Sequence, residues 1–442
     1  MPVQFFTVNA VPTSTQVKTL VAVTTTPCLH WLTALLSSNA LAGTSVRFPF
    51  TQWLNKLIID RKQFACGFFM FLNKISYSAQ EGANMKTRIE RLRAGFEKQY
   101  IDAFLVTDKT NLRYLTGFDL EQGDGGLLVT NTDAVIITDS RYQEALREFK
   151  SDEVVATITQ DYWGDLNKIC KGMKVSVLGF EDTLSYRTFE RLDDLMEAAI
   201  VPFDRVVEKM RRVKDAGEVE KLRKATQLHD RGYNYLLSIA HPGMSERELA
   251  LELDYWMKKN GASRASFPTI LASGPNSAKP HATVSAHHLK EGDLVTLDFG
   301  YFVDGYTADM TRTFAVGQLD QRLVELHHLI DAAQKNVISQ LKVGMTGNEA
   351  DMLGRKPLED AGYGDYFNHG MGHGIGMAVH EFPDSFGPAT NRYKFRNNEV
   401  VTVEPGVYLP GVGGIRIEND VLVTHMGAEV LTKAPTGLFV IG

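Results

Sequence analysis

Asp293-Leu-Val-Thr-Leu-Asp298-Phe-Gly-Tyr-Phe-Val-Asp304-Gly305-Tyr-Thr-Ala-Asp309-Met-Thr-Arg-Thr313 is the stretch on which the fold turns. Two runs rich in β-branched and aromatic residues flank Asp304-Gly305, a dipeptide suited to a two-residue hairpin loop. With those two residues as the loop, residue 300 faces Asp309. Asp298 lies two residues before residue 300, so the two aspartates share one face as a diagonal pair. Diagonal neighbours lie roughly 7–8 Å apart, within side-chain reach of a common ion. A lone aspartate is most often a turn or edge residue. Here Leu294, Val295 and Leu297 carry Asp298 inward, where a bare carboxylate is costly without a partner.

Three further segments offer matching chemistry. Asn368-His369-Gly-Met-Gly-His373-Gly-Ile-Gly-Met-Ala-Val-His380 packs three of the chain's 12 histidines among glycines that let the backbone approach a ligand closely. Val400-Val-Thr-Val-Glu404-Pro-Gly and Gly413-Gly-Ile-Arg416-Ile-Glu418-Asn each read as an apolar strand carrying a glutamate. Two aspartates, two glutamates and a histidine form an oxygen-rich ligand set. Such a set suits Mn²⁺, or Co²⁺ and Zn²⁺, rather than a thiolate zinc site. With bridging carboxylates it can hold two ions ~3.5–4 Å apart, the arrangement of two-metal hydrolysis.

In these four segments the chain resembles the pita-bread metallopeptidase family, which includes methionine aminopeptidase, aminopeptidase P and prolidase. The resemblance covers residues 85–442. It implies five metal ligands, Asp298, Asp309, His373, Glu404 and Glu418, with Asp309 and Glu418 bridging two ions. It implies Asp298 on one ion and His373 with Glu404 on the other. His281, His369 and His380 match positions that contact substrate or relay protons. Glu404 is the expected proton carrier, and Arg416 resembles an arginine that hydrogen-bonds a bridging carboxylate. The implied activity is hydrolysis of the bond between an N-terminal residue and proline, an Xaa-Pro aminopeptidase using a metal-activated water. The alternative is an Xaa-Pro dipeptidase (prolidase), and a remoter one is a non-catalytic pita-bread binding module. The implied partners are peptides with proline in second position and a second copy of the chain in a homodimer.

Outside these segments the sequence is α/β throughout. Gly243-Met-Ser-Glu-Arg-Glu248 and Gly344-Met-Thr-Gly-Asn-Glu349 are two capping boxes with the same Gly-Met prefix, which points to an internally duplicated α+β unit. The first opens a helix that stops at Lys258-Lys-Asn-Gly261. Residues 85–207 alternate a charged helix to about Gln99, strands at Asp102–Thr107, Gly125–Thr130 and Ala134–Thr138, and a helix from Arg141 to Phe149. This N-terminal α/β domain resembles the creatinase-like domain of aminopeptidase P and prolidase. The charge-rich helical stretch at 206–225 marks the join to a catalytic domain expected over 208–442.

Residues 1–84 read differently. They carry +4 against −10 for the remainder, are rich in Ser and Thr, and show no sustained period. A processed targeting segment is one reading. The other is that the stretch is not translated: Gln80-Glu81-Gly82 can be encoded with AGGAGG just before Met85, a bacterial ribosome-binding sequence. A net charge of −6 without long basic runs argues against nucleic acid or an anionic membrane as partner. Three scattered cysteines form no disulfide framework and suit a reducing cytoplasm. No apolar run reaches the roughly 18–20 residues of a membrane span.

Overall fold

The computed structural model describes residues 19–23, 32–36, 87–389 and 393–442. Residues 1–85 and 86–442 are separate compact units. In the first, β1 (Thr19–Val23) pairs antiparallel with β2 (Leu32–Leu36), each too short for the sequence to show a period. Apart from these two strands, the stretch read as a targeting segment or as untranslated lies outside the described residues.

The second unit begins with a helix that the sequence showed as continuous but that Gly95 divides. α1 (Arg88–Arg93) is opened by a Thr87–Glu90 capping box, and α2 (Phe96–Gln99) follows. Next come β3 (Ala103–Val106), α3 (Lys109–Thr116), β4 (Gly126–Thr130) and β5 (Ala134–Thr138). Then α4 (Gln143–Glu148), β6 (Val155–Ile158), α5 (Tyr162–Gly172), β7 (Val177–Glu181), α6 (Tyr186–Leu195) and β8 (Ala199–Phe203) complete the domain. The strands form one mixed sheet in the order β6-β5-β4-β3-β7-β8.

The join differs from the single helical stretch that its charges suggested. α7 (Val206–Arg211) stops, and α8 (Ala216–Ile239) starts afresh from an Asp215–Glu218 capping box. The intervening charges are not solvated: Arg211, Arg212 and Lys214 are all buried. They are held there by carboxylates, Arg211 and Lys214 on Glu381 and Arg212 on Glu399.

The remainder repeats one plan twice. A long helix is followed by a shorter one opened by a capping box, and the pair packs on an antiparallel sheet. In the first copy α8 precedes α9 (Glu246–Lys259), capped by Ser245 and Glu248. Its sheet holds β9 (Arg264–Ala265), β10 (Ile270–Ser273), β11 (Leu294–Val303) and β12 (Tyr306–Val316). In the second copy α10 (Gln321–Gln340) precedes α11 (Gly347–Asp360), capped by Thr346 and Glu349. Its sheet holds β13 (Gly372–Gly374), β14 (Glu381–Phe386), β15 (Glu399–Val403), β18 (Asn419–Thr424) and β19 (Gly427–Val430). The ribbon of β16 (Gly406–Leu409) and β17 (Gly413–Arg416) lies between β15 and β18 in sequence, and β20 (Val440–Ile441) closes on β12.

Each copy has its own apolar core, around Leu253, Leu297 and Phe314 in the first and Ile330, Val401 and Val423 in the second. A third core is shared across the join. It runs from Phe104, Leu127 and Ile136 of the N-terminal sheet through Val207 and Leu222 to Tyr306, Ile375, Val400 and Leu422. Among the described residues no helix is long and apolar enough to cross a membrane.

Candidate metal centre

The β11–β12 hairpin has the register that its turn dictates. Asp304 and Gly305 both adopt positive φ (50° and 80°), and Gly300 pairs with Asp309 while Asp298 pairs with Thr311. Both aspartates therefore point to one face, as the diagonal pair expected. Glycine at 300 keeps that face open, because a Cβ there would lie 2.3 Å from Ser266 Oγ and 2.5 Å from the Phe267 ring.

The other ligand candidates converge from the second sheet. His373 sits on β13 between two glycines. A Cβ at Gly372 would overlap the Thr402 carbonyl, and one at Gly374 would crowd the Glu381 carbonyl. The His373 Nδ1–H donates to the Gly374 carbonyl (3.0 Å), so the lone pair of Nε2 faces the carboxylates. Nε2 lies 3.7 Å from Asp309 Oδ2 and 3.6 Å from Glu404 Oε1. Glu404 and Glu418 do not lie on strands, as the sequence suggested. Glu404 follows the end of β15, and Glu418 occupies the gap between β17 and β18. Strand ends free their side chains from sheet alternation and let both turn toward the hairpin. Ligand atoms of Asp309, His373 and Glu418 all lie within 4.8 Å of one another.

Arg416 departs from expectation. It was expected on a bridging carboxylate, Asp309 or Glu418. Instead its Nη2 donates to Asp298 (2.6 Å), its Nη1 to the Tyr408 hydroxyl (2.6 Å) and its Nε to Thr311 Oγ1 (3.1 Å). It reaches Glu418 indirectly, because the Thr311 hydroxyl donates to Glu418 Oε2 at 2.6 Å. Thr311 faces Asp298 in the register, so the arithmetic that located the aspartates could have found it. Tyr408 left no such sign in the sequence. Asp420, two residues beyond Glu418 on β18, accepts from the Asp309 amide (3.2 Å).

Electrostatics make this a cation site. Burial, then Glu418, Asp298, Asp420 and Glu404, push the Asp309 carboxyl well above its usual range. Burial, then Glu404 and Asp298, do the same to Glu418. Burial lifts Glu404 to about 7 despite Arg416. The four carboxylates have one guanidinium among them, and the buried Oδ1 atoms of Asp298 and Asp309 have no hydrogen-bond partner. Carboxylates so placed cannot all ionise unless cations join them. Burial drives His373 down to about 3, so it is neutral, the form that ligates. The donor set therefore fits divalent metal.

All nine predicted site residues, with Tyr408, line one cavity of about 430 Å³. His380 packs on His373 with ring centroids 4.2 Å apart. His369 donates from Nδ1 to the Gly370 carbonyl (2.8 Å), so its Nε2 accepts from the Tyr408 hydroxyl (2.9 Å). Phe267, Pro268, Ile270, Pro280 and Val379 give the cavity an apolar wall.

The metallopeptidase family M24 model matches residues 220–425, and the creatinase/prolidase N-terminal domain model matches residues 88–213. The Xaa-Pro dipeptidase of Pyrococcus furiosus is 33% identical over 354 residues, which is 79% of this chain and 98% of that protein. An Xaa-Pro dipeptidase structure from Bacillus anthracis aligns with a TM-score of 0.76 at 39% identity, covering 80% of this chain and 99% of its own. An X-Pro aminopeptidase structure from Thermotoga maritima aligns with a TM-score of 0.72 at 34% identity, covering 78% and 99%.

Proposed function

Since the chain belongs to metallopeptidase family M24, we propose that it hydrolyses the bond before proline in short peptides, Xaa-Pro dipeptides above all. The observation that carries the metallopeptidase chemistry is the convergence of three buried carboxylates, the half-buried Glu404 and a neutral histidine on one cavity. The sequence motifs favoured aminopeptidase action. The dipeptidases of Pyrococcus furiosus and Bacillus anthracis move the reading to its alternative. The Thermotoga maritima X-Pro aminopeptidase supports keeping the longer-peptide reading as second.

We assign Asp298, Asp309, His373, Glu404 and Glu418 as the residues that would hold two divalent ions. One guanidinium offsets one of the four carboxylate charges, and the remaining three exceed what a single divalent ion balances. Oxygen-rich donors with one imidazole favour Mn²⁺, with Co²⁺ or Zn²⁺ as alternatives. Bound there, the ions supply Lewis acidity toward the scissile carbonyl and acidify the attacking water.

The chain's own groups do the rest. Glu404 takes the proton of the attacking water on a carboxylate oxygen and delivers it to the proline nitrogen, which must be protonated to leave. His281 and His380, both lining the cavity, hold the substrate carbonyl and stabilise the charge that develops on it. His369 cannot offer Nε2 to substrate while Tyr408 donates to it, so it serves as part of the wall. The apolar wall accepts the pyrrolidine ring. A site of this kind suits a tertiary amide, which has no N–H to offer.

The test is turnover of Leu-Pro, Leu-Pro-Pro and Leu-Ala-Ala by Mn²⁺-loaded protein, alongside its metal content. Fastest hydrolysis of Leu-Pro is expected. Faster cleavage of Leu-Pro-Pro selects the aminopeptidase, and comparable cleavage of Leu-Ala-Ala overturns the proline assignment.

A further inference from the structure

A chain of buried polar groups runs from the N-terminal sheet to the cavity wall. Glu181, at the end of β7, accepts on Oε2 from the amides of Thr107 (2.6 Å) and Asp108 (2.7 Å). Its Oε1 accepts from Asn111 Nδ2 (2.8 Å), which also donates to Glu208 (2.7 Å). Asn111 Oδ1 in turn accepts from Arg211 Nη1 (2.7 Å). The other edge of the same guanidinium donates to Glu381 Oε1, from Nη2 at 2.5 Å and Nε at 3.2 Å. Lys214 Nζ donates to Glu381 Oε2 at 3.1 Å. Glu381 Oε1 also accepts from the amides of Met377 (2.7 Å) and Ala378 (3.1 Å), which folds residues 377–381 into a tight loop. Gly376 has to be glycine, since a Cβ there would stand 2.7 Å from the Glu381 carboxylate. His380 rides on that loop, its ring against His373 and exposed to the cavity.

Charges in such a place are a poor way to gain stability. The side chains of Arg211, Lys214 and Glu381 are 6%, 1% and 3% exposed, and apolar residues of the same volume often stabilise a buried site more. What the charges add is direction: two N–H groups of the Arg211 guanidinium hold Oε1 and Lys214 holds Oε2, so the carboxylate is fixed in orientation. We propose that Asn111, Arg211 and Glu381 are positioning residues through which the N-terminal domain sets His380 in the cavity. None of them touches substrate. They act by holding the backbone of residues 377–381, and their loss lets His380 drift from the reacting carbonyl. The inference rests on the assignment of His380 to the substrate cavity, but not on which peptide is cleaved.

The test compares wild type with Glu381→Gln, Arg211→Met and the milder Asn111→Ala, all as full chains with metal. Hydrogen–deuterium exchange is read over residues 371–386. Turnover is read on whichever peptide the wild type cleaves fastest. Faster exchange confined to 376–381 is expected, with kcat/KM lower by about 10-fold or more and metal content unchanged. Asn111→Ala, remote from the cavity, is expected to show the same pattern more weakly. The Arg211→Met, Glu381→Gln double variant should lose little more than either single one. A lower melting temperature with exchange at 376–381 and kcat/KM both unchanged would mean a structural clamp only and overturn the proposal. So would additive losses in the double variant. If the wild type cleaves no Xaa-Pro peptide, the substrate reading fails, and the exchange data still decide the clamp.

Discussion

His229 gives the fold a pH sensitivity that can be calculated. It lies on α8, fully buried, with its ring stacked on Phe299 at 5.1 Å. Its Nδ1–H donates to the Ala225 carbonyl (2.7 Å), and its Nε2 accepts the Tyr301 amide of β11 (2.9 Å). It thus ties α8 to β11 through a backbone amide. Burial lowers its pKa from 6.5 to about 4, with the Ala225 carbonyl opposing weakly. The unfolded chain therefore binds a proton between pH 6.5 and 4 that the folded chain refuses. Stability from this source is complete above pH 6.5 and is lost as pH falls toward 4. The full span is about 3 kcal/mol, of which about 2 kcal/mol is gone by pH 5. Urea unfolding of wild type and His229→Gln at pH 7.5 and pH 5 isolates it, because other titrating groups cancel in the difference. Glutamine keeps an acceptor for Tyr301 but loses the stacking, at a cost of about 1–2 kcal/mol at pH 7.5. The difference between the two proteins should shift by about 2 kcal/mol at pH 5, so that the gap closes or reverses in favour of the variant. Parallel acid losses in both would refute the neutral, buried histidine.

Asp309→Asn is expected to leave the fold intact and abolish turnover and metal stoichiometry together, since an amide cannot neutralise cations. Two bound metals with wild-type turnover would disprove the ligand assignment. Thr311→Val, nearly isosteric, removes the hydroxyl that Glu418 accepts from and should weaken metal retention about 10–100-fold, measured by competition with a chelator. A chain beginning at Met85 is expected to match the full chain in melting temperature and specific activity. Loss of either assigns residues 1–84 a role that their composition does not suggest.

The hairpin was readable because Asp304-Gly305 allows few turn geometries, and the turn then fixes every cross-strand pair. The capping boxes at Ser245 and Thr346 were readable because they are local. The resemblance to M24 peptidases rested on the same short-range text. What escaped was decided at long range. Arg416 chooses among carboxylates that arrive from β11, from β12, from the end of β15 and from the gap between β17 and β18. Tyr408 matters through a hydroxyl that meets Arg416 and His369 only after β16 and β17 pair. At 206–225 the charges suggested one continuous helix at the join, but Glu381 and Glu399, about 170 or more residues away in sequence, draw Arg211, Arg212 and Lys214 inside where it breaks.

The core shared across the join has a consequence for synthesis on the ribosome. The N-terminal sheet is made first and can close one side on its own, around Leu105, Leu178 and Leu192. Its other side, with Phe104, Leu127 and Ile136, packs with Ile89, Phe96 and Leu115 of its own helices into a core whose last members, Tyr306, Ile375, Val400 and Leu422, are made later. At 5–20 residues per second, the ~220 residues between the end of the sheet and the last of those partners take roughly 10–40 s to emerge. For that interval the margin of this core that Tyr306, Ile375, Val400 and Leu422 complete stays open to water. Chaperone demand and premature-stop products should therefore weigh more heavily on this chain than its finished surface suggests.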